Sequence, residues 1–113
     1  MKALKESLIE TYTSVVFSAK EAADTSLLDP YVGDIFQYLS LLSSDEHNND
    51  LDFVKSIVGL LGDLTGLYGK KVQHLLGLPF VSQIIGILDR STNKEHRKVA
   101  RWTLNVITKS LHN

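Results

Sequence analysis

The sequence contains no cysteine, which excludes disulfide bonds, thiolate zinc sites and cysteine nucleophiles. It has no excess of one charge: its net charge of −1 provides no field that would recruit nucleic acid or an acidic membrane. No apolar run approaches the roughly 18 residues that span a membrane. Glu6 and Glu10 interrupt the apolar residues at the start, so we expect no signal peptide there. These absences predict a soluble intracellular protein that binds neither nucleic acid nor membrane.

Proline is scarce, and its two positions mark predicted helix starts. Pro30 follows Asp29, a candidate N-cap, and Pro79 follows a break at Gly77. Apolar residues recur at steps of three and four, and no useful length of chain alternates with a period of two. The sequence therefore predicts an all-α fold, with a break at Asp24 to Ser26, a short helical turn at 70–76, and longer helices over about 3–22, 30–42, 49–69, 79–89 and 92–111.

The third of these helices has an unusual series of glycines. Asn49 is its candidate N-cap, and Gly69 can end it in the left-handed conformation. Gly59, Gly62 and Gly66 lie with Gly69 along one side. Each interior glycine costs about 0.5–1 kcal/mol relative to alanine. We therefore expect another helix to approach closely along this side, with the glycine helix in the middle of a stack as a scaffold and not as the binding surface.

The helices group into two antiparallel pairs, at about 3–44 and 49–89, followed by a terminal helix at about 92–112. A unit of two helices that repeats every 40–47 residues or so is typical of HEAT and armadillo repeats. An isolated four- or five-helix bundle explains the same periodicity equally well. The pattern alone leaves both architectures open.

Four blocks of residues stand in a specific order along nearly the whole chain. They are Leu8-Ile9-Glu10-Thr11-Tyr12-Thr13, Gly59-Leu60-Leu61-Gly62-Asp63-Leu64, Tyr68-Gly69-Lys70 and Ala100-Arg101-Trp102. In order and approximate spacing, this set resembles the C-terminal end of the importin-β (karyopherin-β) family. The segments at 23–28 and 45–50 depart from the resemblance. It implies an all-α HEAT-repeat solenoid, of which this chain would be a fragment.

The resemblance also implies a function, which is nuclear import by a carrier that shuttles between cytoplasm and nucleus through the nuclear pore. In that family the C-terminal repeats help to enclose the basic N-terminal helix of importin-α, or another basic cargo segment. Ran and nucleoporins bind the full-length carrier. The contacts lie on the inner helices, which here would be the helices at 30–42 and 79–89 with the last helix beside them.

Trp102 is the first candidate contact residue, because it matches the family tryptophan of the last helix. Helical geometry places it at the edge of the apolar arc, near Glu95, Lys98 and Lys109. From the residues alone, it is either a core tryptophan or a half-exposed one suited to stacking on an arginine or lysine stem. The resemblance favours the half-exposed position.

Four further residues are candidates for contacts with a basic partner. Asp34 is the only acid inside the second helix and faces away from its apolar stripe, and Tyr38 lies one turn further on. Asp89 and Glu95 flank the turn into the last helix. Glu95 also stands three residues after Thr92, as in a capping box, which would need no partner. Exposed acidic residues are common in any soluble protein. The assignment of these three acids, and of Tyr38 beside Asp34, therefore rests on the family resemblance.

No set of residues indicates catalysis, a cofactor or a metal. The acidic loop at 45–50 lacks the register of a calcium loop, and the four histidines show no HExxH spacing. The glycine series lacks the Gly-Lys-Ser/Thr ending of a phosphate loop. The basic face of the last helix has no interleaved aromatic residues. We therefore expect no enzyme; the alternative to a transport receptor is a free-standing helical adaptor that binds another peptide or helix.

Overall fold

The computed structural model describes residues 2–26, 28–43 and 51–112 and contains no strand in these ranges. The predicted all-α class is therefore confirmed. The helices are α1 (Lys2–Ala22), α2 (Val32–Ser43), α3 (Leu51–Tyr68), the short α4 (Gln73–Leu76), α5 (Pro79–Asp89) and α6 (Lys94–His112), with 3-10 turns at Asp29–Tyr31 and Gly69–Val72. Within the described part, no single helix is long and apolar enough to cross a membrane; Leu51–Leu76 and Pro79–Asp89 pass that test only as a pair bent by 114°.

The breaks between helices follow local chemistry. α1 ends where Ala23 adopts a φ of 53° and the Ser26 N–H donates to Asp24 Oδ1 at 3.0 Å. α3 ends where Gly69 adopts a φ of 59°, the left-handed conformation predicted for it. Pro79 begins α5 as predicted. The predicted cap Asn49 and the acidic loop lie outside the described residues.

Two predicted helix caps are wrong. Asp29 does not cap the helix that follows; its Oδ1 instead accepts a hydrogen bond from the Tyr68 hydroxyl at 2.7 Å. The capping box of Thr92 and Glu95 does not form either. Asn93 Oδ1 accepts the Glu95 N–H at 2.8 Å, so Asn93 caps α6. Asparagine is as good a cap as threonine, and this register starts the helix one residue later.

α3 lies in the middle of the helical stack, as predicted. It packs against α1, α5 and α6, while α2 packs against α5. α5 packs against α2, α3 and α6. α6 packs on α3 and also on α5, so the last helix lies beside the helix at 79–89, as expected. The division into repeat units stays a prediction.

The buried apolar side chains form one core. Every long helix contributes to it, and α3 contributes the most residues, since it packs against three other helices. The fully buried large side chains are Ile9, Val16, Ile35, Phe36, Leu39, Val54, Ile57, Leu60, Leu61, Leu64, Ile84 and Leu88. α6 joins this core through Ala100 and Ile107.

Candidate functional site

A groove of about 330 Å³ opens where α3 and α6 meet beside α1. One wall is the indole of Trp102, which is 44% exposed. Trp102 is therefore half-exposed and is not a core residue. The groove is lined by Lys20, Gly62, Asp63, Gly66, Leu67, Trp102 and Val106. Four of these residues come from α3. The expectation that this helix is a scaffold and not the binding surface stays a prediction.

The close approach of α6 to α3 depends on Gly62. A Cβ atom at this position would overlap the Trp102 ring and lie 2.8 Å from Thr103 Oγ1. The buried Thr103 hydroxyl donates to the Val58 carbonyl at 3.0 Å and thereby ties the two helices together. The predicted close approach is confirmed at Gly62, whereas Gly59 faces open space. The structure offers no packing reason for glycine at 59.

Asp63 gives the groove a carboxylate that the sequence analysis did not single out. Burial raises the pKa of Asp63, and the nearby Lys20 ammonium partly opposes this effect. Within the described residues, Asp63 forms neither an ion pair nor a hydrogen bond. Its sequence signals were its place directly after Gly62 and within one of the four blocks that carry the family resemblance. The first signal becomes informative only once Trp102 is known to lie on this glycine.

The other four predicted site residues lie outside the Trp102 groove. Asp34 is exposed on α2, and Glu95 is exposed in the first turn of α6. Tyr38 is half-buried, with its ring edge-on to Tyr12 at a centroid distance of 6.0 Å. Asp89 Oδ1 accepts a hydrogen bond from Arg101 Nε at 3.3 Å. None of the four lines the Trp102 groove. Glu95 lies two turns before Trp102 on the same face of α6, and Asp89 contacts Arg101 beside it, whereas Asp34 and Tyr38 lie on α2.

His96 was not predicted to be significant, yet it is buried, with 6% of its surface exposed. Its Nε2 lies 2.8 Å from Asp52 Oδ1 and its Nδ1 lies 2.9 Å from Ser91 Oγ. Ser91 Oγ also accepts the Asn93 N–H at 3.0 Å. The ring therefore links the start of α3 to the turn before α6. Among the described residues, no group of three or more His, Asp or Glu side chains is placed to hold a metal ion.

Tyr68 and Asp29 form a second link, between α3 and the turn before α2. The hydrogen bond from Tyr68 holds the pKa of Asp29 below its ordinary value of 3.8, with a smaller effect from Thr25. Desolvation, together with the same hydrogen bond, raises the pKa of Tyr68 to about 12. The stabilising effect of this pair is therefore present above the ordinary pKa of Asp and below that of Tyr. It is lost as pH falls through the lowered pKa of Asp29 or rises towards 12.

Replacing Tyr68 with phenylalanine is expected to destabilise the protein most at neutral pH. The loss should shrink in acid, where Asp29 is protonated in both proteins, and in strong base, where the Tyr68 hydroxyl ionises. Urea unfolding of both proteins at several pH values measures the difference. Tyr31→Phe is the matched control, because Tyr31 is 59% exposed. A Tyr68→Phe effect that stays constant from neutral to acidic pH would contradict the role of Asp29.

Comparisons with known proteins give two matches. A family model described as importin subunit beta-1-like, TPR repeats, matches residues 1–90. The chain is also similar to importin subunit beta-1 of Arabidopsis thaliana, with 24% identity over 113 aligned residues. This alignment covers 96% of the chain but 12% of the plant protein, so the chain spans a small part of that relative. No solved structure gives a significant match.

Proposed function

Because the chain belongs to the family of importin subunit beta-1-like TPR repeats, we propose that it forms part of a nuclear transport receptor. Its all-α fold is of the HEAT and TPR type, in which stacked helix pairs present extended binding surfaces. The segment would help to hold the basic N-terminal helix of importin-α, or another basic cargo segment. Its role would be binding, without a cofactor or catalytic step.

The observation that carries this proposal is the half-exposed indole of Trp102 at the edge of a groove. An indole face attracts a lysine or arginine side chain, with an energy of about 0.5–2 kcal/mol. The exposed carboxylates of Asp34 and Glu95 would pair with other basic residues of the same segment. Asp89 would first have to release Arg101, and Tyr38 has only a half-buried ring to offer. Because Asp34 and Tyr38 lie on α2 and Trp102 lies on α6, the partner segment would have to contact more than one place on this chain.

The proposal also includes the cellular role of the full-length carrier. The carrier of which this chain forms part would shuttle between cytoplasm and nucleus through the nuclear pore. Contacts with Ran and with nucleoporins would be made by the full-length protein. The family match supports this setting, and the plant relative is itself described as an importin subunit.

A peptide with the basic N-terminal sequence of importin-α tests the proposal. Trp102→Ala is expected to weaken its binding about 2- to 30-fold, which corresponds to the loss of one cation–π contact. Asp34→Ala should weaken it by less than about 5-fold, because exposed ion pairs contribute little. Binding should also weaken with added salt. Fluorescence anisotropy of a labelled peptide measures each affinity.

Leu104→Ala is the matched control for the tryptophan variant. Leu104 is 52% exposed on the same helix and does not line the groove, so its truncation should leave peptide affinity unchanged. If the double variant Trp102→Ala, Asp34→Ala binds the peptide as tightly as the unmodified chain, the site assignment is wrong. If the unmodified chain does not bind the peptide, the proposed partner is wrong.

A further inference from the structure

We propose that the exposed face of α6 is a docking surface for an acidic protein segment, whose carboxylates pair with a stripe of basic side chains. This basic stripe consists of Lys94, Lys98, Arg101 and Lys109. None of the four lines the Trp102 groove, and the partner has the opposite charge to the one proposed above. The inference therefore goes beyond the proposed function and does not depend on it.

The charge of the chain is unevenly divided along its length. Residues 90–113 contain six lysines and arginines and one acidic residue, whereas residues 1–89 contain six and twelve. Formal charges of +5 and −6 therefore combine to the net charge of −1. A nearly neutral protein thus has a strongly basic end, and the local field of that end can attract an anionic partner although the overall charge does not.

Helical spacing brings the cations of the basic stripe to one face of α6. Lys98, Arg101 and Lys109 follow Lys94 by 4, 7 and 15 residues. At 100° and 1.5 Å per residue, the four lie within an arc of about 80° and along a length of about 22 Å. All four side chains are exposed, and the exposed Asn105 fills the gap before Lys109. The stripe is therefore continuous, and no acidic residue of α6 interrupts it.

The charges of the basic stripe are poorly compensated within the chain. Among the described residues, Lys94, Lys98 and Lys109 form no ion pair. Arg101 Nε donates one hydrogen bond of 3.3 Å to Asp89 Oδ1, and both side chains are exposed. Water screens an exposed pair of this kind, so a partner can replace it at little cost. The contact also shows that a carboxylate can occupy the stripe.

The acidic residues beside the stripe favour a protein segment over nucleic acid. Asp89 contacts Arg101, and the exposed Glu95 directly follows Lys94. A nucleic-acid strand has a negative charge at every phosphate, so it would bring charges against these acids as well as against the stripe. A protein segment can place its acids opposite the cations and uncharged residues opposite the acids. Carboxylates spaced by three or four residues therefore match the stripe better than a continuous polyanion does.

The apolar residues at the edges of the stripe disfavour a membrane surface as the partner. Leu104 and Trp102 are both about half exposed, and helical geometry places them about 160° apart around α6, on opposite sides of the stripe. A helix that binds a bilayer inserts one continuous apolar face. These two side chains cannot enter one flat bilayer together while the cations lie between them. A narrow protein segment can instead lie along the stripe with an apolar side chain on Leu104.

Two peptides of identical composition test the surface. The first is a fluorescein-labelled, alanine-based helical peptide with glutamates at positions i, i+4, i+7 and i+15, which reproduces the spacing of the stripe. The second has its four glutamates in succession. We expect the spaced peptide to bind saturably, as measured by fluorescence anisotropy, and about 3- to 10-fold more tightly than the other. Its affinity should fall at least about 3-fold between about 50 and 300 mM salt.

Matched variants locate the binding. The double variant Lys94→Gln, Lys98→Gln should weaken binding of the spaced peptide about 2- to 25-fold, through the loss of two exposed ion pairs. Lys70→Gln, Lys71→Gln is the control, because it removes two exposed lysines from the turn at Gly69–Val72 and should leave the affinity unchanged. Asp89→Asn should strengthen binding about 2-fold, since it frees Arg101. Opposite signs for exposed residues separate these effects from a loss of folding.

Several results would overturn the proposal. Equal affinities of the two peptides, or equal effects of the two double lysine variants, would mean that only general attraction is present. Tighter binding of an oligothymidylate with four phosphates would assign the stripe to nucleic acid, and tighter binding of phosphatidylserine vesicles would assign it to a membrane. Sedimentation that shows self-association abolished by Lys94→Gln, Lys98→Gln would make a second copy of this chain the occupant. The titration of the importin-α peptide is separate, so any of these results leaves the proposed function standing.

Discussion

Leu64→Ala is expected to lower the free energy of unfolding by about 2–5 kcal/mol. Leu64 is completely buried in α3, the helix that packs against α1, α5 and α6. Removing its methyl groups loses the free energy gained by burying them away from water. It also leaves a cavity that the three neighbouring helices cannot easily close. Urea unfolding followed by circular dichroism measures the loss. It should be a large fraction of the total stability of a domain of this size.

Two further substitutions serve as controls for Leu64→Ala. Leu64→Met conserves the side-chain volume and should cost less than about 1.5 kcal/mol. Leu104→Ala removes the same atoms from a side chain that is 52% exposed, and such surface changes stay within about 0.5 kcal/mol. If Leu104→Ala were as damaging as Leu64→Ala, α3 would not be the centre of the stack.

The same substitution at two glycines of α3 is expected to change stability in opposite directions. Gly62→Ala should destabilise the protein by about 1–3 kcal/mol, because the new methyl group overpacks the contact with Trp102 and Thr103. Gly59→Ala should stabilise it by about 0.5–1 kcal/mol, since its Cβ would meet no atom within 4 Å and alanine favours the helix. Thermal or urea unfolding of both variants gives the two signs.

Tryptophan fluorescence gives an independent measurement of the Gly62 contact. In Gly62→Ala the indole must move, so its emission should shift, whereas Gly59→Ala should leave the emission unchanged. If both variants were stabilised, α6 would not be seated on Gly62, and the groove that depends on this contact would have a different shape. The pair therefore tests the geometry on which the candidate site rests.

The separation of the predicted contact residues has a consequence for binding. Trp102 and Asp63 share one groove, while Asp34 and Tyr38 lie on α2, which does not line it. A short peptide that occupies the groove need not reach α2. Truncation of the peptide would therefore separate the effect of Trp102→Ala from that of Asp34→Ala, with the shorter peptide remaining sensitive only to the first.

The sequence alone determined the helices, because their signals are local. The recurrence of apolar residues at three and four positions needs no knowledge of neighbours, and Gly69 and Pro79 mark a helix end and a helix start by their backbone chemistry. The local signals were weakest at caps, where Asn93 and Thr92 offer similar hydrogen bonds in adjacent registers. The family resemblance, too, lay in short blocks readable in the sequence.

Only the tertiary structure decided which neighbours meet. A row of glycines along a helix indicates that a second helix can approach closely. It does not indicate which of the glycines is in contact, and here Gly62 contacts α6 whereas Gly59 does not. Asp63 and Lys20 are far apart in the sequence, and they come to one groove because α1 and α6 both border α3. An amphipathic pattern predicts which face of a helix is buried. Which helix packs on that face depends on the fold of the whole chain. For the same reason, the sequence identified Trp102 but not the carboxylate beside it.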